Sequence, residues 1–504
     1  MKIFTRRNLA AYLGLSLGSL VACSAWVDTK LAERKFFWTD EGFAQSTTCS
    51  QTYTDLFLHG GQGQCSPAPL YYVVQKLAIG ALGADKSVLI KFRVLSLFSA
   101  AACIGLLLFV LSRYLGYAAA VFACFLLISQ PIFHQFAAED RPYMLWTALF
   151  TALIFASVVL VNNGRKPRKI EWLLLAFLSL GLSAVSGAGM LQVSGILFVL
   201  LISPSIRNWK LGVREALTLR STLRPAYLIA FLSISIGLFY SNSSCGWWSG
   251  GNNLLETRDP QLVLNVLMLF FPKGSLATVF INLVVVLGMV STFAYLMVPK
   301  LVDRRGKSLS VLLGLQVGIQ LVVAIVIGVL VALKGYFFIQ RVFIFLIICR
   351  SIFGALGLYV LVEWLLDRIP ADSSLRTGVN AAAGAVVVVL FFVKLKGMDA
   401  YLSESYPFPK WKSPPAGICE ALAGKKIVIA VEPSTSATVV SNLVAGAWAV
   451  LSDCPRVGGR NVLSESYLVV ASGPDGLDFR IKEPPLGSAY VEVVRCSQRV
   501  VGSL

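Results

Sequence analysis

The sequence predicts an all-α polytopic membrane protein of about 11 transmembrane helices, followed by a small external C-terminal α/β domain. Three observations predict it. Of 504 residues, 56% are hydrophobic and only 14% charged, with a mean hydropathy of +0.73. Soluble domains carry roughly 25% charged residues, so this chain has too little polar surface to face water all round. Apolar runs near the roughly 17–25 residues that a bilayer needs recur along residues 1–395. The charge is lopsided, with 44 Lys+Arg against 26 Asp+Glu and a formal net charge of +18. A basic excess also suits nucleic acid, but its placement points elsewhere.

The runs cover residues 8–27, 92–112, 116–135, 142–161, 172–188, 189–204, 226–241, 275–298, 309–333, 341–365 and 377–395. The pair around Gly187–Gly189 is short enough for a tilted hairpin. Lys2, Arg6 and Arg7 precede the first run. Arg165, Lys166, Arg168 and Lys169 follow the fourth. Arg207, Lys210, Arg214, Arg220 and Arg224 follow the sixth, and Lys300, Arg304, Arg305 and Lys307 the eighth. Basic residues mark cytoplasmic loops. The N-terminus is therefore expected in the cytoplasm and the C-terminus outside, as in a multi-pass protein of a bacterial inner (plasma) membrane. The basic excess reads as an orientation signal, and nucleic acid is not an expected partner.

This gives a membrane domain over 1–395 with an external loop at 28–91, and an external soluble domain over 396–504. Cys49, Cys65, Cys245, Cys419, Cys454 and Cys496 fall in external segments, an even number in a disulfide-permissive compartment. Cys49–Cys65 is the nearest local pair; the others are left unassigned. Cys23, Cys103, Cys124 and Cys349 fall within runs. Leu20-Val21-Ala22-Cys23 has the form of a lipoprotein cleavage box, against the plainer reading of an uncleaved first helix. No cysteine or histidine spacing suggests a structural metal.

Behind the proline-rich stretch 407–415, the tail shows strand-like runs at Ile427–Val431, Tyr467–Ala471, Asp478–Lys482 and Tyr490–Val494. Residues 437–451 read as a helix of small residues.

The chemistry-bearing residues sit at the external rim. Asp40-Glu41 lies in the aromatic segment Phe36–Phe43, where a carboxylate can take a proton from an acceptor hydroxyl or amine. Ser66-Pro67-Ala68-Pro69-Leu70-Tyr71-Tyr72 reads as a stiff entry into a juxtamembrane helix. Arg93 stands near the external end of the second run, where interface snorkelling is the plainer role. The turn His134–Tyr143 packs Glu139, Asp140, Arg141 and Tyr143 between apolar runs, a costly place for charge. Lys334, Tyr336 and Arg341 stand at the external end of the ninth and tenth runs, where arginine could hold phosphate oxygens.

In this order the set resembles the GT-C superfamily of polytopic membrane glycosyltransferases, and in particular its bacterial branch of protein O-mannosyltransferases and aminoarabinose transferases. The resemblance covers roughly residues 1–365. It rests on Asp40-Glu41, Pro69–Tyr72, the Phe-Arg-x-x-Ser entry Phe92–Ser96, the Glu-x-Arg-x-Tyr turn Glu139-Arg141-Tyr143, and Arg341. It implies transfer of a sugar from a polyprenyl-phosphate donor to a lipid, glycan or protein acceptor on the external face, among membrane lipids. Asp40, with Glu41 beside it, would be the catalytic base. Arg93, Arg141 or Arg341 would bind the donor phosphate, with Glu139, Asp140 and Tyr143 lining the substrate site. Relatives carry a His or Glu-Lys before a Pro-Pro pair. Here Gln64–Pro69 splits the prolines and lacks the charge, and His59 would fill part of that role. Relatives often have Arg-Tyr where this chain has Arg341-Val342.

No cofactor is required by any ligand spacing. Asp40, Glu41, Glu139 and Asp140 could share a divalent cation. The alternative function is a lipid or glycan transporter or flippase without chemistry. Such a protein places polar residues within its spans and often shows inverted repeats. This chain keeps its acids at the rim.

Overall fold

The computed structural model describes residues 68–82, 88–162, 167–207, 224–243, 260–297, 305–334 and 343–369, parts of 21–32 and 41–59, and four strands between 426 and 492. The helices are α1 (Tyr53–His59), α2 (Pro69–Ala81), α3 (Val88–Tyr114), α4 (Tyr117–Ile128), α5 (Pro131–Ala137), α6 (Tyr143–Asn162) and α7 (Lys169–Val185). They continue as α8 (Gly187–Arg207), α9 (Arg224–Ser243), α10 (Pro260–Phe270), α11 (Leu276–Met297), α12 (Arg305–Lys334) and α13 (Phe345–Leu366).

Exposure is inverted relative to a water-soluble protein. Phe98 is 73% exposed and Leu276 is 86%, while Glu41, Arg93 and Asp140 are 0% exposed. Burial normally favours the apolar residue; the reverse holds where the outer solvent is hydrocarbon. Ile90–Tyr114, Tyr143–Leu160, Leu276–Tyr295, Ser310–Leu330 and Phe345–Leu366 are each long and apolar enough to cross a membrane. The protein is a mainly helical, multi-pass membrane protein.

Eleven spans were expected. Among the described residues five helices qualify, or six if a bent pair counts as one. The runs at 172–188, 189–204 and 226–241 appear as α7, α8 and α9. The ninth and tenth runs appear as α12 and α13. Residues 8–20 and 377–395 lie outside the described residues, whereas those described between 21 and 32 are helical. α10 was not foreseen.

The run at 116–135 is not a straight helix. α4 and α5 meet at 71°. Pro131 disfavours helical backbone at the residue before it, and Gln130 is extended at φ −93° and ψ 114°. Pro131 then opens α5, where its missing N–H costs nothing. The bend turns the chain across the bundle, so that the following turn, 138–142, lies over the starts of α3 and α6.

Two close approaches set the bundle's geometry. α7 ends at Val185, Ser186 is extended, and α8 starts at Gly187. A Cβ on Gly189 would lie 2.3 Å from the Leu182 carbonyl oxygen, so only glycine permits this tight return. Between α11 and α13, a Cβ on Gly288 would lie 2.0 Å from the Phe353 oxygen, and one on Gly357 1.9 Å from the Val284 oxygen. Their contacts advance together from Asn282–Arg350 to Gly288–Gly357, so the two helices run parallel. Small residues at such crossings let backbones meet where no hydrophobic drive exists.

The strands are β1 (Lys426–Val431), β2 (Glu465–Gly473), β3 (Gly476–Ile481) and β4 (Ala489–Glu492). They form one sheet in the order β3-β2-β1-β4. β1 and β2 are parallel, with Lys426 opposite Glu465, whereas β4 and β3 join antiparallel. Each strand overlaps a strand-like run of the sequence. A parallel pair needs a long crossover. The helix expected at 437–451 falls in that connection and lies outside the described residues.

Candidate active site

The site grows from one arginine. Arg93 sits in the second turn of α3, and its whole side chain is buried. Its Nε and Nη2 each donate to Glu41, to Oε1 and Oε2, at 3.0 Å. Its Nη1 donates to the carbonyl of Ala32 at 2.5 Å. The fork geometry of guanidinium and carboxylate is matched on both sides. Glu41 Oε1 also accepts the backbone N–H of Asp140 at 2.7 Å. One carboxylate thus ties the first loop to α3 and to the 138–142 turn. Isolated, either charge would be strongly disfavoured here; together each satisfies the other.

Asp140 forms the second half. α2 starts at Pro69, and its residues Tyr71, Tyr72 and Gln75 share a buried face at helical spacing. Tyr71 Oη donates to Asp140 Oδ1 at 2.6 Å and Gln75 Nε2 donates to it at 2.9 Å. Gln75 Nε2 also donates to the carbonyl of Phe92. Asp140 Oδ2 is buried without a hydrogen-bond partner. Burial pushes the Asp140 carboxyl well above the usual range, and the Glu41 charge adds to that. The Tyr71 bond, Arg93 and Arg141 pull the other way. Burial and the Asp140 charge likewise push the Tyr71 hydroxyl up.

The turn is held from below. Ser96, one turn past Arg93, donates to the Glu139 carbonyl at 2.6 Å. Gln135 Nε2 reaches Glu139 Oε1 at 3.3 Å. The Arg141 guanidinium lies 5.6 Å from the centre of the Tyr143 ring, with Nη2 3.4 Å from its hydroxyl. Tyr143 stacks on Phe136 with centroids 5.1 Å apart.

A buried histidine fastens the bend. His134 Nε2 donates to the Ile128 carbonyl at 2.7 Å, and Nδ1 lies 2.5 Å from Asp28 Oδ1. Ser24 donates to Asp28 Oδ2 at 2.9 Å. The segment 24–32 therefore holds α5 through Asp28 and Arg93 through Ala32.

Of the residues singled out in the sequence, Glu41, Arg93, Asp140 and the turn carrying Glu139, Arg141 and Tyr143 come together. Asp40 and Arg341 lie outside the described residues. His59 ends α1, but its side chain lies outside them, as do Cys49 and Cys65. Sequence reasoning did not single out Asp28 or Gln75. Gln75 had a signal, standing one helical turn past Tyr71 and Tyr72. Both oxygens of Glu41 are engaged by Arg93. Among the described residues, no group of three or more His, Cys, Asp or Glu could hold a metal ion. Cys103, Cys124 and Cys349 are buried free thiols.

No protein-family model matches the sequence, and no curated protein matches it. Solved structures do resemble the fold. The chain is similar to apo ArnT from Cupriavidus metallidurans, at 13% identity and a TM-score of 0.49, over 93% of this chain and 94% of that one. The same protein bound to undecaprenyl phosphate matches at 15% identity and a TM-score of 0.43, over 76% and 72%. An Archaeoglobus fulgidus oligosaccharyltransferase tethered to an acceptor peptide matches at 14% and 0.46, over 77% of this chain and 55% of that one. Likenesses of this size assign no activity.

Proposed function

We propose that the chain is a membrane glycosyltransferase of the GT-C type, which moves a sugar from a polyprenyl-phosphate donor to an acceptor at the external membrane face. The observation that carries this reading is convergence. Four segments named from the sequence resemblance, at 41, 69–72, 92–96 and 139–143, meet in one buried polar hub. They are separated by up to about a hundred residues in sequence, and the fold brings them together.

The roles combine what the resemblance implies for Asp40 and Arg341 with the contacts of Glu41, Arg93, Asp140 and Arg141. Asp40, one peptide bond from the pinned Glu41, takes the proton from the acceptor hydroxyl or amine. The acceptor oxygen or nitrogen then bonds to the anomeric carbon as the bond to the lipid phosphate breaks, with inversion. Glu41 holds the loop rather than reacting, because Arg93 and the Asp140 N–H occupy its oxygens. Arg93 is equally committed, so the leaving phosphate falls to Arg141 and Arg341. Asp140, favoured in its protonated form, offers Oδ2 to a sugar or acceptor hydroxyl. The sugar, the acceptor class and any divalent ion are left to experiment.

A second reading, a lipid or glycan transporter, draws on one observation. Gln192, Gln316 and Gln320 are fully buried within membrane helices. Trp146 Nε1 donates to Gln192 Oε1 at 2.7 Å, and Gln320 Nε2 to the Gln192 carbonyl at 3.3 Å. Such cores occur along transport paths, and also simply as interhelical glue. Transfer of radiolabelled sugar from a polyprenyl-phosphate donor, in membranes carrying wild type or Asp40→Asn, separates the readings. Transfer that the substitution abolishes supports the enzyme. Unchanged transfer removes Asp40 as base, and no transfer with any lipid-linked donor favours transport.

A further inference from the structure

The molecule contains a second buried arginine that is built quite differently from the first. Arg350 lies in the second turn of α13 and is 2% exposed. Arg93 has all three of its nitrogens engaged. Among the described residues Arg350 makes a single hydrogen bond, from Nη2 to Asn282 Oδ1 at 3.3 Å, and its buried Nε has no partner. No carboxylate pairs with it among the described residues. A guanidinium carries five N–H donors. An ionised group left this unsatisfied inside a membrane bundle is costly, and the cost is ordinarily met by function.

Its surroundings are rigid and amphipathic. Asn282 also donates through Nδ2 to the Pro272 carbonyl at 3.1 Å. It therefore ties Arg350 to the loop between α10 and α11, which carries the exposed Lys273. The Gly288 and Gly357 contacts lock α11 against α13 just beyond. On α11, Leu276, Ala277, Val279, Phe280 and Leu283, within one to two turns of Asn282 along the helix, line an open apolar groove of ≈ 530 Å³. A cation with an unmet donor, held by the same helix that carries a greasy groove, matches one ligand chemistry: an anionic oxygen cluster joined to a hydrocarbon chain.

We propose that Arg350 and Asn282 form a binding site for the phosphate of a membrane lipid, whose chain lies along the α11 groove. The planar fork suits two phosphate oxygens at once, and Lys273 adds positive charge at the loop. The site is separate from the Arg93–Asp140 hub, and it does not depend on transfer chemistry.

The test reads binding and stability together. Purified full-length wild type, Arg350→Gln and Asn282→Ala are studied in dodecyl maltoside without phosphate buffer. Thermal melting is followed with undecaprenyl phosphate, phosphatidic acid or inorganic phosphate added. A lipid phosphate should raise the melting temperature of wild type. Arg350→Gln should bind it about tenfold more weakly or worse, and Asn282→Ala should fall between. Inorganic phosphate, lacking the chain, should give a much smaller shift. The lipid giving the larger shift identifies the source. Without ligand, Arg350→Gln should melt no lower than wild type, because it removes an unpaired buried charge. If Arg350→Gln retains the lipid-induced shift, the proposal fails. It fails equally if inorganic phosphate reproduces the whole shift, or if ligand-free Arg350→Gln melts several degrees lower, as loss of a structural ion pair would require.

Discussion

Replacing Arg93 by Met tests the hub most severely. The substitution keeps the stem's apolar volume and deletes the guanidinium. Glu41 then remains 0% exposed and keeps the Asp140 N–H but loses its buried guanidinium. Removing one member of a buried pair costs about 3–5 kcal/mol, because the other charge is stranded. The lost bond to the Ala32 carbonyl adds about 1 kcal/mol. The single variant should therefore lose about 4–6 kcal/mol, close to the whole stability of many proteins. Deleting both charges in Arg93→Met/Glu41→Leu should recover much of it, since an apolar pair of similar volume often replaces a buried ion pair at little cost. The double-mutant cycle would then show a coupling of about 2 kcal/mol or more. Denaturation by SDS in mixed micelles supplies the four stabilities. A loss below about 1 kcal/mol for Arg93→Met, or simple additivity in the cycle, would refute the pairing as the anchor of the first loop.

Two further outcomes follow from the same contacts. Because burial raises the Asp140 carboxyl, the native state holds a proton that the unfolded chain releases near its ordinary value of about 3.9. This contribution is fully present below that value and is lost as pH rises through the raised one, at about 1.4 kcal/mol per unit. Asp140→Asn should flatten that slope in a pH series of denaturation midpoints while leaving the Tyr71 and Gln75 bonds an acceptor. Gly357→Ala places a methyl 1.9 Å from the Val284 carbonyl oxygen and must push α11 from α13, losing about 1–3 kcal/mol; a neutral melting temperature would show that the crossing is looser than described.

The apolar runs placed most of the helices because a bilayer imposes length and composition on every span. α3 and α6 fall within a few residues of the runs at 92–112 and 142–161. The 71° bend was written locally in Gln130-Pro131, yet the hydropathy of residues 116–135 hid it, since an apolar run looks the same straight or broken. The rim motif 139–143 was legible as charge wedged between spans. Which acid each arginine would meet was not: Arg93 looked like a snorkelling side chain, and its partner lies 52 residues earlier in the loop. Arg350 was overlooked for the same reason. It stands in an apolar run after Cys349, and nothing in the local sequence separates a cation facing lipid from one sealed between two helices. Tertiary partners decide that, and sequence period does not carry them.

The central claim is that the Arg93–Asp140 hub performs sugar transfer. The most direct measurement follows the sugar and the lipid together, in proteoliposomes loaded with a radiolabelled polyprenyl-phosphate sugar and cell-envelope acceptor. With wild type, label should pass to the acceptor as polyprenyl phosphate is released in equal amount, and Asp40→Asn should slow both by about a hundredfold or more. Donor that crosses the bilayer with its sugar intact, or release that Asp40→Asn leaves unchanged, would contradict the account.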